Sequence, residues 1–372
     1  AARGARALSA LSAILAQEIS ARGPLSVARF MELALGHPTL GYYQRQDPLG
    51  VAGDFVTAPE ISQMFGEIVG LWLAQAWSDL GGPAPVHLVE FGPGRGTLIA
   101  DLLRATARVE GFRAALSVHL VERSARLRRR QSERLAGVGA EWHDDLDEVP
   151  TGPILLVANE FLDALPVHQL VRSERGWVER RIALADDRRL SFVVDERPSP
   201  LAQQVPARDA AALGTVAEVG PARAALARRI AARLAAAGGV ALLVDYGAWV
   251  ERPTGDTLQA VRGHAACDPL ACPGEADLSA QVDFRAVAEA ARDGGAAVYG
   301  PVPQGAFLRA LGIEARALRL LERARPEQRR ALRAGLLRLT DPAAMGELFK
   351  VLVLAGSGRP PPGFAAPTLA PA

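Results

Sequence analysis

The sequence predicts an α/β protein, a Rossmann-like and mostly parallel sheet with a helical N-terminal extension and an inserted β-hairpin lobe. Three observations predict it. Short apolar runs, "VHLVEFG" (86–92), "LSVHLVE" (116–122), "PILLVANE" (153–160) and "GVALLVDYG" (239–247), alternate with stretches of helical periodicity; that alternation gives a parallel sheet covered by helices. "PILLVANE" is almost continuously apolar, as a strand buried on both faces must be. In "VEFGPGRGTL" (89–98) a glycine-rich turn directly follows an apolar strand, at the strand end where open α/β sheets bind ligands.

Residues 1–36 read as helices joined near "RGPLS", with Ser26 as a cap for the second. Leu8, Leu11, Leu15 and Ile19 recur at helical spacing. The same stretch carries arginine and serine and no acid before Glu18, as transit peptides do; the amphipathic helix is the preferred reading. Residues 36–62, rich in Gly and Pro, read as an ordered loop. A helix over about 60–80 carries Phe65, Ile68, Leu71, Trp72 and Ala76 and ends at "GGPAP". "TLIADLLRATARV" and "SARLRRRQSERLAG" are helices, and "AEWHDDL" is a strand end and turn. Runs of period two over 167–200 predict hairpins, followed by a less regular link to 220. Helix and strand return over 222–247. Residues 249–285 read as loop-rich, "FRAVAEAARDGG" as a helix, 306–340 as helical and "LFKVLVLAG" as a last strand. The domain plan is therefore 1–80 as a helical extension folding over the cofactor, 81–166 and 222–355 as the core, 167–221 as an inserted hairpin and substrate lobe, and 356–372 as a Pro-rich tail.

A formal charge of +1 over 372 residues excludes a general electrostatic claim on nucleic acid or acidic membranes. Lys350 is the only lysine among 42 basic residues, a bias that fits a GC-rich genome and a bacterial cytoplasm, with the mitochondrial matrix as the eukaryotic counterpart. No apolar run approaches the roughly 20 residues of a spanning helix. Cys267 and Cys272 are too few for a disulfide framework. Together with His264 they make no convincing metal site, because a second ligand cluster is missing; no metal is expected.

Gly92, Gly94 and Gly96 form the turn. Dinucleotide enzymes space these glycines as G-x-G-x-x-G, whereas here the third follows the second by two residues. Glu90 stands just before the turn, where it repels phosphate, and no lysine follows, which excludes a P-loop. An acid there suits a cationic ligand without phosphate, and S-adenosylmethionine (SAM) is one. Glu122 ends the next strand, where a carboxylate accepts ribose hydroxyls. Asp144 and Asp145 sit where the third strand should end, as acceptors for an adenine amino group, with Trp142 or Leu146 packing on the ring. Each acid has a bland alternative as a helix cap; the set at successive strand ends favours the ligand.

The chain resembles the MidA-type class I SAM-dependent methyltransferases, a family that includes the mitochondrial complex I assembly-factor methyltransferase. The resemblance rests on "GDFVTAPEISQMFGE" (53–67), "VEFGPGRGTL" (89–98), "ANEFLDALPVHQ" (158–169), "LLVDYG" (242–247), "GDTLQAVRGH" (255–264), "PGEADLSAQVDF" (273–284), "QGAFLRALGI" (304–313) and "MGELFKVL" (345–352). It implies a seven-stranded methyltransferase sheet with an added helical and hairpin lobe, SAM as cofactor with S-adenosylhomocysteine as product, and symmetric dimethylation of an arginine in a partner protein.

A guanidinium is a poor nucleophile because it stays protonated to very high pH. It needs carboxylates that fix its plane. "ANEFLDALP", after the fourth buried strand, offers them: Glu160, with Asp163, for the guanidinium, and Asn159 to position the cofactor or the substrate. Helix capping is the alternative role for both acids. Thr57, Glu60 and Ser62 open a helix whose N-terminus favours an anion such as the SAM carboxylate, with Phe55 and Phe65 excluding water; simple capping is the alternative here too. Asp245 and Tyr246 end the fifth strand near the same cleft. Trp177 is read as part of a substrate wall or as packing on the hairpins. His264, Asp277 and Asp283 fall in family motifs without an assigned role. A small-molecule methyltransferase and a SAM-binding assembly chaperone are the competing functions, and an NAD-linked oxidoreductase fails on Glu90 and the glycine spacing. A homodimer is open, since SAM enzymes often pair.

Overall fold

The computed structural model describes residues 10–45, 54, 56–356 and 360–364. The chain divides into two compact units: Ala1–Phe55, Ala164–Arg223 and Val250–Gln281 form one, and Val56–Asp163, Ala224–Trp249 and Val282–Ala372 form the other.

The second unit carries the parallel sheet. Its strands are β1 Val86–Phe91, β2 Leu116–Val121, β3 Glu141–His143, β4 Ile154–Asn159, β5 Gly239–Ala248, β6 Ala297–Pro303 and β7 Phe349–Ala355. They lie in the order β6-β7-β5-β4-β1-β2-β3, and the two-residue strand Val282–Asp283 pairs with the end of β5. Neighbours from β3 through β5 are parallel, whereas β7 runs antiparallel to both β5 and β6. The mostly parallel α/β fold expected from the alternation is therefore present. Register sets the functional edge: Phe91 lies beside Ala158 and Val121, and Asn159 beside Val244. The carboxyl ends of β1, β2, β4 and β5 thus finish together.

Helices cover this sheet. They include α1 Ala58–Ile61, α2 Gln63–Asp79, α3 Thr97–Ala105, α4 Ala125–Arg134, α5 Pro221–Ala237 and α6 Phe284–Asp293. The helix expected from residue 60 is split. Ser62 adopts extended backbone (φ −159°) after the single turn of α1 and caps α2 by accepting the Met64 N–H at 3.3 Å. Phe65 and Trp72 are buried in the same core as Leu88, Leu155 and Leu242. Gly70 lets α2 press on α3, since a Cβ there would lie 2.9 Å from Leu102 Cα. The strand Ala297–Pro303 escapes a period-two reading because Gly300-Pro301 breaks it; the pairing slips between Tyr299 and Val302.

Among the described residues the first unit holds the α-helices Ala10–Arg22, Val27–Gly36 and the short Tyr42–Arg45, and two antiparallel sheets. Ser26 caps the second helix as expected, accepting the Arg29 N–H at 3.1 Å. The hairpins predicted over 167–200 are the strands His168–Ser173, Gly176–Leu184 and Leu190–Pro198. Val216–Val219 adds a strand where an irregular link was expected. The stretch read as loop-rich contains the sheet of Gln259–Arg262, Ala265–Cys267 and Asp277–Ser279. Its strands are only three or four residues long, too short for alternation to show. Gly263 and His264 form the hairpin turn between the first two, with φ of +57° and +60°, as a type I′ turn needs.

Leu242 is fully buried in β5. Leu242→Ala is expected to cost about 2–5 kcal/mol, read as a lower urea midpoint with an unchanged slope.

Candidate functional site

The glycine turn has the backbone its sequence implies. Gly92, Gly94 and Gly96 all have positive φ, at +58°, +53° and +75°, a region open to glycine without a steric penalty. A Cβ at Gly92 would lie 2.7 Å from the Phe161 ring, so glycine is also required for room. Gln131, on α4, ties the turn to the next strand. Its amide donates to the Gly94 carbonyl at 2.8 Å and to Glu122 Oε2 at 3.3 Å, and it accepts the Trp142 indole N–H at 2.8 Å. Sequence reasoning missed Gln131, because it lies mid-helix in a basic run with no motif around it.

Glu90 and Glu122 are both buried. Glu90 Oε2 has no hydrogen-bond partner. Burial, with the nearby Glu122 charge, pushes the Glu90 carboxyl up to about 8. Burial also raises Glu122, to about 6, against the Ser124 N–H, which donates to it at 2.7 Å, and Gln131. Glu90 is thus largely neutral near pH 7 with nothing bound. This refines the sequence reading, in which its charge repels phosphate: burial favours the protonated carboxyl.

Asn159 ends β4, and its buried Oδ1 also lacks a partner. Two orphaned acceptors therefore sit at the ends of adjacent strands. Buried polar atoms are nearly always paired, and an ammonium group, with three N–H donors, would pair them.

Glu160 follows with φ +50°, a left-handed conformation rare for a residue with a Cβ. Its N–H donates to Val244 O at 2.8 Å. Its Oε1 accepts from Ala58 N–H at 2.7 Å and from Asn159 Nδ2 at 3.1 Å. The residue keeps partial exposure, yet the protein around its carboxylate, and then Asp163, push it up to about 7. No helix follows it; residues 161–166 form a turn, so neither Glu160 nor Asp163 caps a helix there. Asp245 builds that turn. Its Oδ2 accepts from the N–H groups of Phe161 (3.1 Å), Leu162 (2.8 Å) and Asp163 (3.2 Å), and its Oδ1 from Tyr246 N–H at 2.9 Å.

The "VTAPEIS" segment joins this edge. Thr57 stands at the N-cap of α1 without a side-chain capping bond. The anion held by that helix start is the Glu160 carboxylate. Glu60 accepts from the Thr97 hydroxyl at the start of α3 and lies 3.6 Å from Arg95 Nη1. Phe55 lies outside the described residues.

The third-strand acids already have partners. Asp144 pairs with Arg128 at 2.6 Å. Asp145 pairs with Arg229 and accepts the Asp147 N–H at 3.1 Å. Leu146 is buried. Away from this edge, Trp177 is buried and donates to Arg208 O at 3.1 Å, so it packs within its unit instead of walling a substrate. Asp277 accepts from the Tyr43 hydroxyl at 3.1 Å, and Asp283 caps α6.

Residues 68–302 match the family model described as "Putative S-adenosyl-L-methionine-dependent methyltransferase". The chain is 38% identical to the Drosophila melanogaster protein arginine methyltransferase NDUFAF7 homolog, mitochondrial, over 91% of this chain and 83% of that protein. It is 35% identical to human protein arginine methyltransferase NDUFAF7, mitochondrial, over 91% and 82%. A Burkholderia thailandensis protein crystallised with S-adenosyl-homocysteine superposes with a TM-score of 0.79 at 30% identity, covering 93% of this chain and 92% of that one. No helix among the described residues is long and apolar enough to cross a membrane.

Because Glu90 is protonated more readily in the folded than in the unfolded chain, its contribution to stability is full below about pH 4.5 and lost as pH rises through about 8. Glu90→Gln is therefore expected to raise the urea midpoint over wild type more at pH 9 than at pH 5. An equal or opposite difference would show that Glu90 ionises normally.

Proposed function

Since the chain belongs to the S-adenosyl-L-methionine-dependent methyltransferase family, we propose that it methylates an arginine side chain of a partner protein, forming symmetric dimethylarginine. Assembly of respiratory complex I is the setting we infer, and the bacterial cytoplasm the compartment. A homodimer is an assembly state open to the chain.

The observation that carries this reading is Glu160, whose carboxylate is fixed by two donors at the end of β4 and carries a raised pKa. Glu90 and Asn159 would hold the cofactor's ammonium group, Gly92, Gly94 and Gly96 would admit its backbone-facing edge, and Glu122 would accept its ribose hydroxyls. Asp144, Asp145 and Leu146 remain the proposed adenine wall, with Arg128 and Arg229 as competitors for the two acids. Thr57 and Ser62 shape the segment beside Glu160. SAM supplies an electrophilic methyl whose departure leaves a neutral thioether. The chain's own work is to aim a guanidinium nitrogen at that methyl, and positioning of this kind is worth about 7–11 kcal/mol. Glu160, assisted by Asp163, pairs with the guanidinium and localises its charge away from the attacking nitrogen. The new C–N bond leaves one proton too many on the product. A carboxylate with a pKa near 7 is a competent acceptor for it.

Glu160→Gln is expected to cut turnover at least about tenfold with SAM affinity nearly intact. In wild type kcat/KM should rise with pH and level above about 7, as free Glu160 ionises, and the variant should lose that limb. Methyl-labelled SAM, incubated with the protein and an extract of cells lacking it, should place label in dimethylarginine after hydrolysis. Label confined to small molecules would replace the protein-substrate reading with a metabolite methyltransferase, and SAM binding without any label with an assembly factor.

A further inference from the structure

Three histidines form an unbroken ladder across three adjacent strands of the parallel sheet. His87 on β1, His119 on β2 and His143 on β3 are all buried. His87 Nδ1 lies 3.0 Å from His119 Nε2, and His119 Nδ1 lies 3.0 Å from His143 Nε2. At the inner end His87 Nε2 lies 3.3 Å from the Thr151 carbonyl. That carbonyl can only accept, so His87 carries its proton on Nε2 and accepts at Nδ1. His119 must then donate from Nε2, which turns the Nδ1 lone pair toward His143.

A third ligand meets the ladder at this outer end. Glu141 is the register partner of His119 and stands two residues before His143 on the same strand, hence on the same face. Its Oε2 lies 3.8 Å from His119 Nδ1, and the three ligand atoms all lie within 4.8 Å of one another. A tetrahedral zinc ion with bonds of about 2.0–2.1 Å spaces its ligand atoms roughly 3.3 Å apart, between the two measured separations. Glu141 is largely exposed, which gives an ion a route in and leaves a coordination position for water.

We propose that His119 Nδ1, His143 Nε2 and the Glu141 carboxylate form a binding site for a divalent zinc-type ion. His87 serves as the supporting partner that fixes the tautomer of His119, as carboxylates and carbonyls do for metal-bound histidines elsewhere. Without the ion, His143 donates its Nε2 proton to His119. With the ion, that proton moves to His143 Nδ1, which leaves the Nε2 lone pair to coordinate. Glu141 supplies the negative charge of the site. The bound ion would lock edge strand β3 to β2. It would also stiffen the backbone at Glu122, whose N–H donates to the His143 carbonyl at 3.0 Å.

The test is calorimetric titration of the chelator-treated, full chain with zinc ion alone, alongside Glu141→Ala and His143→Asn. Glu141 is a surface residue, so its variant keeps the fold. One ion per chain is expected, with a dissociation constant raised about tenfold or more in each variant. Zinc should raise the unfolding midpoint of wild type and not of Glu141→Ala. No binding to wild type would overturn the proposal. Equal affinity in wild type and both variants would do so too, placing the ion elsewhere, for instance at Cys267 and Cys272.

Discussion

One carboxylate organises the functional edge. Asp245 is almost completely buried, and it accepts the three successive N–H groups of residues 161–163. Burying that acid without such donors would be costly. The turn after β4 is thereby held in one shape. Glu160 can then persist at positive φ, since both its flanks are fixed, by β4 before it and by the Asp245 cluster after it. Phe161, set by the same turn, packs against Gly92 and forces the first position of the glycine turn to lack a side chain. The glycine turn and the end of the adjacent strand β4 are coupled through this single side chain.

The second organising feature is deferred charge. Glu90 and Glu160 are held where ionisation is penalised, and Glu90 Oε2 and Asn159 Oδ1 are left without donors. A fold tolerates such groups when a ligand completes them. A cation restores both the missing donors and the missing counter-charge. A phosphate would restore neither. That difference, more than the glycine spacing, separates this edge from a dinucleotide site of the same general fold.

Much of the edge was legible in sequence. The strands β1, β2, β4 and β5 are long apolar runs ending in Glu90, Glu122, Asn159 and Asp245, so topology alone brings these residues together. Gly92 was legible as a turn, whereas its need to clear Phe161 depends on a contact across about seventy residues. Gln131 left no sequence signal, because it joins a helix to a turn distant in the chain; His87 and His119 stand in two identical "VHLVE" runs, and only the parallel register brings them together with His143. The weak strands, Val216–Val219 and those between 259 and 279, are short and turn-rich, and only pairing defines them. Thr57 and Ser62 were read as opening one helix, whereas each starts its own, and the group that meets the first start is Glu160, 102 residues from Ala58.

The central claim is that Glu90 is a neutral acid waiting for a cation, and proton linkage tests it most directly. SAM binding measured calorimetrically at pH 7 in two buffers of different ionisation enthalpy gives the number of protons exchanged. Wild type should show net proton release, reduced or abolished in Glu90→Gln. Binding with no release, or with the same release in the variant, would contradict it.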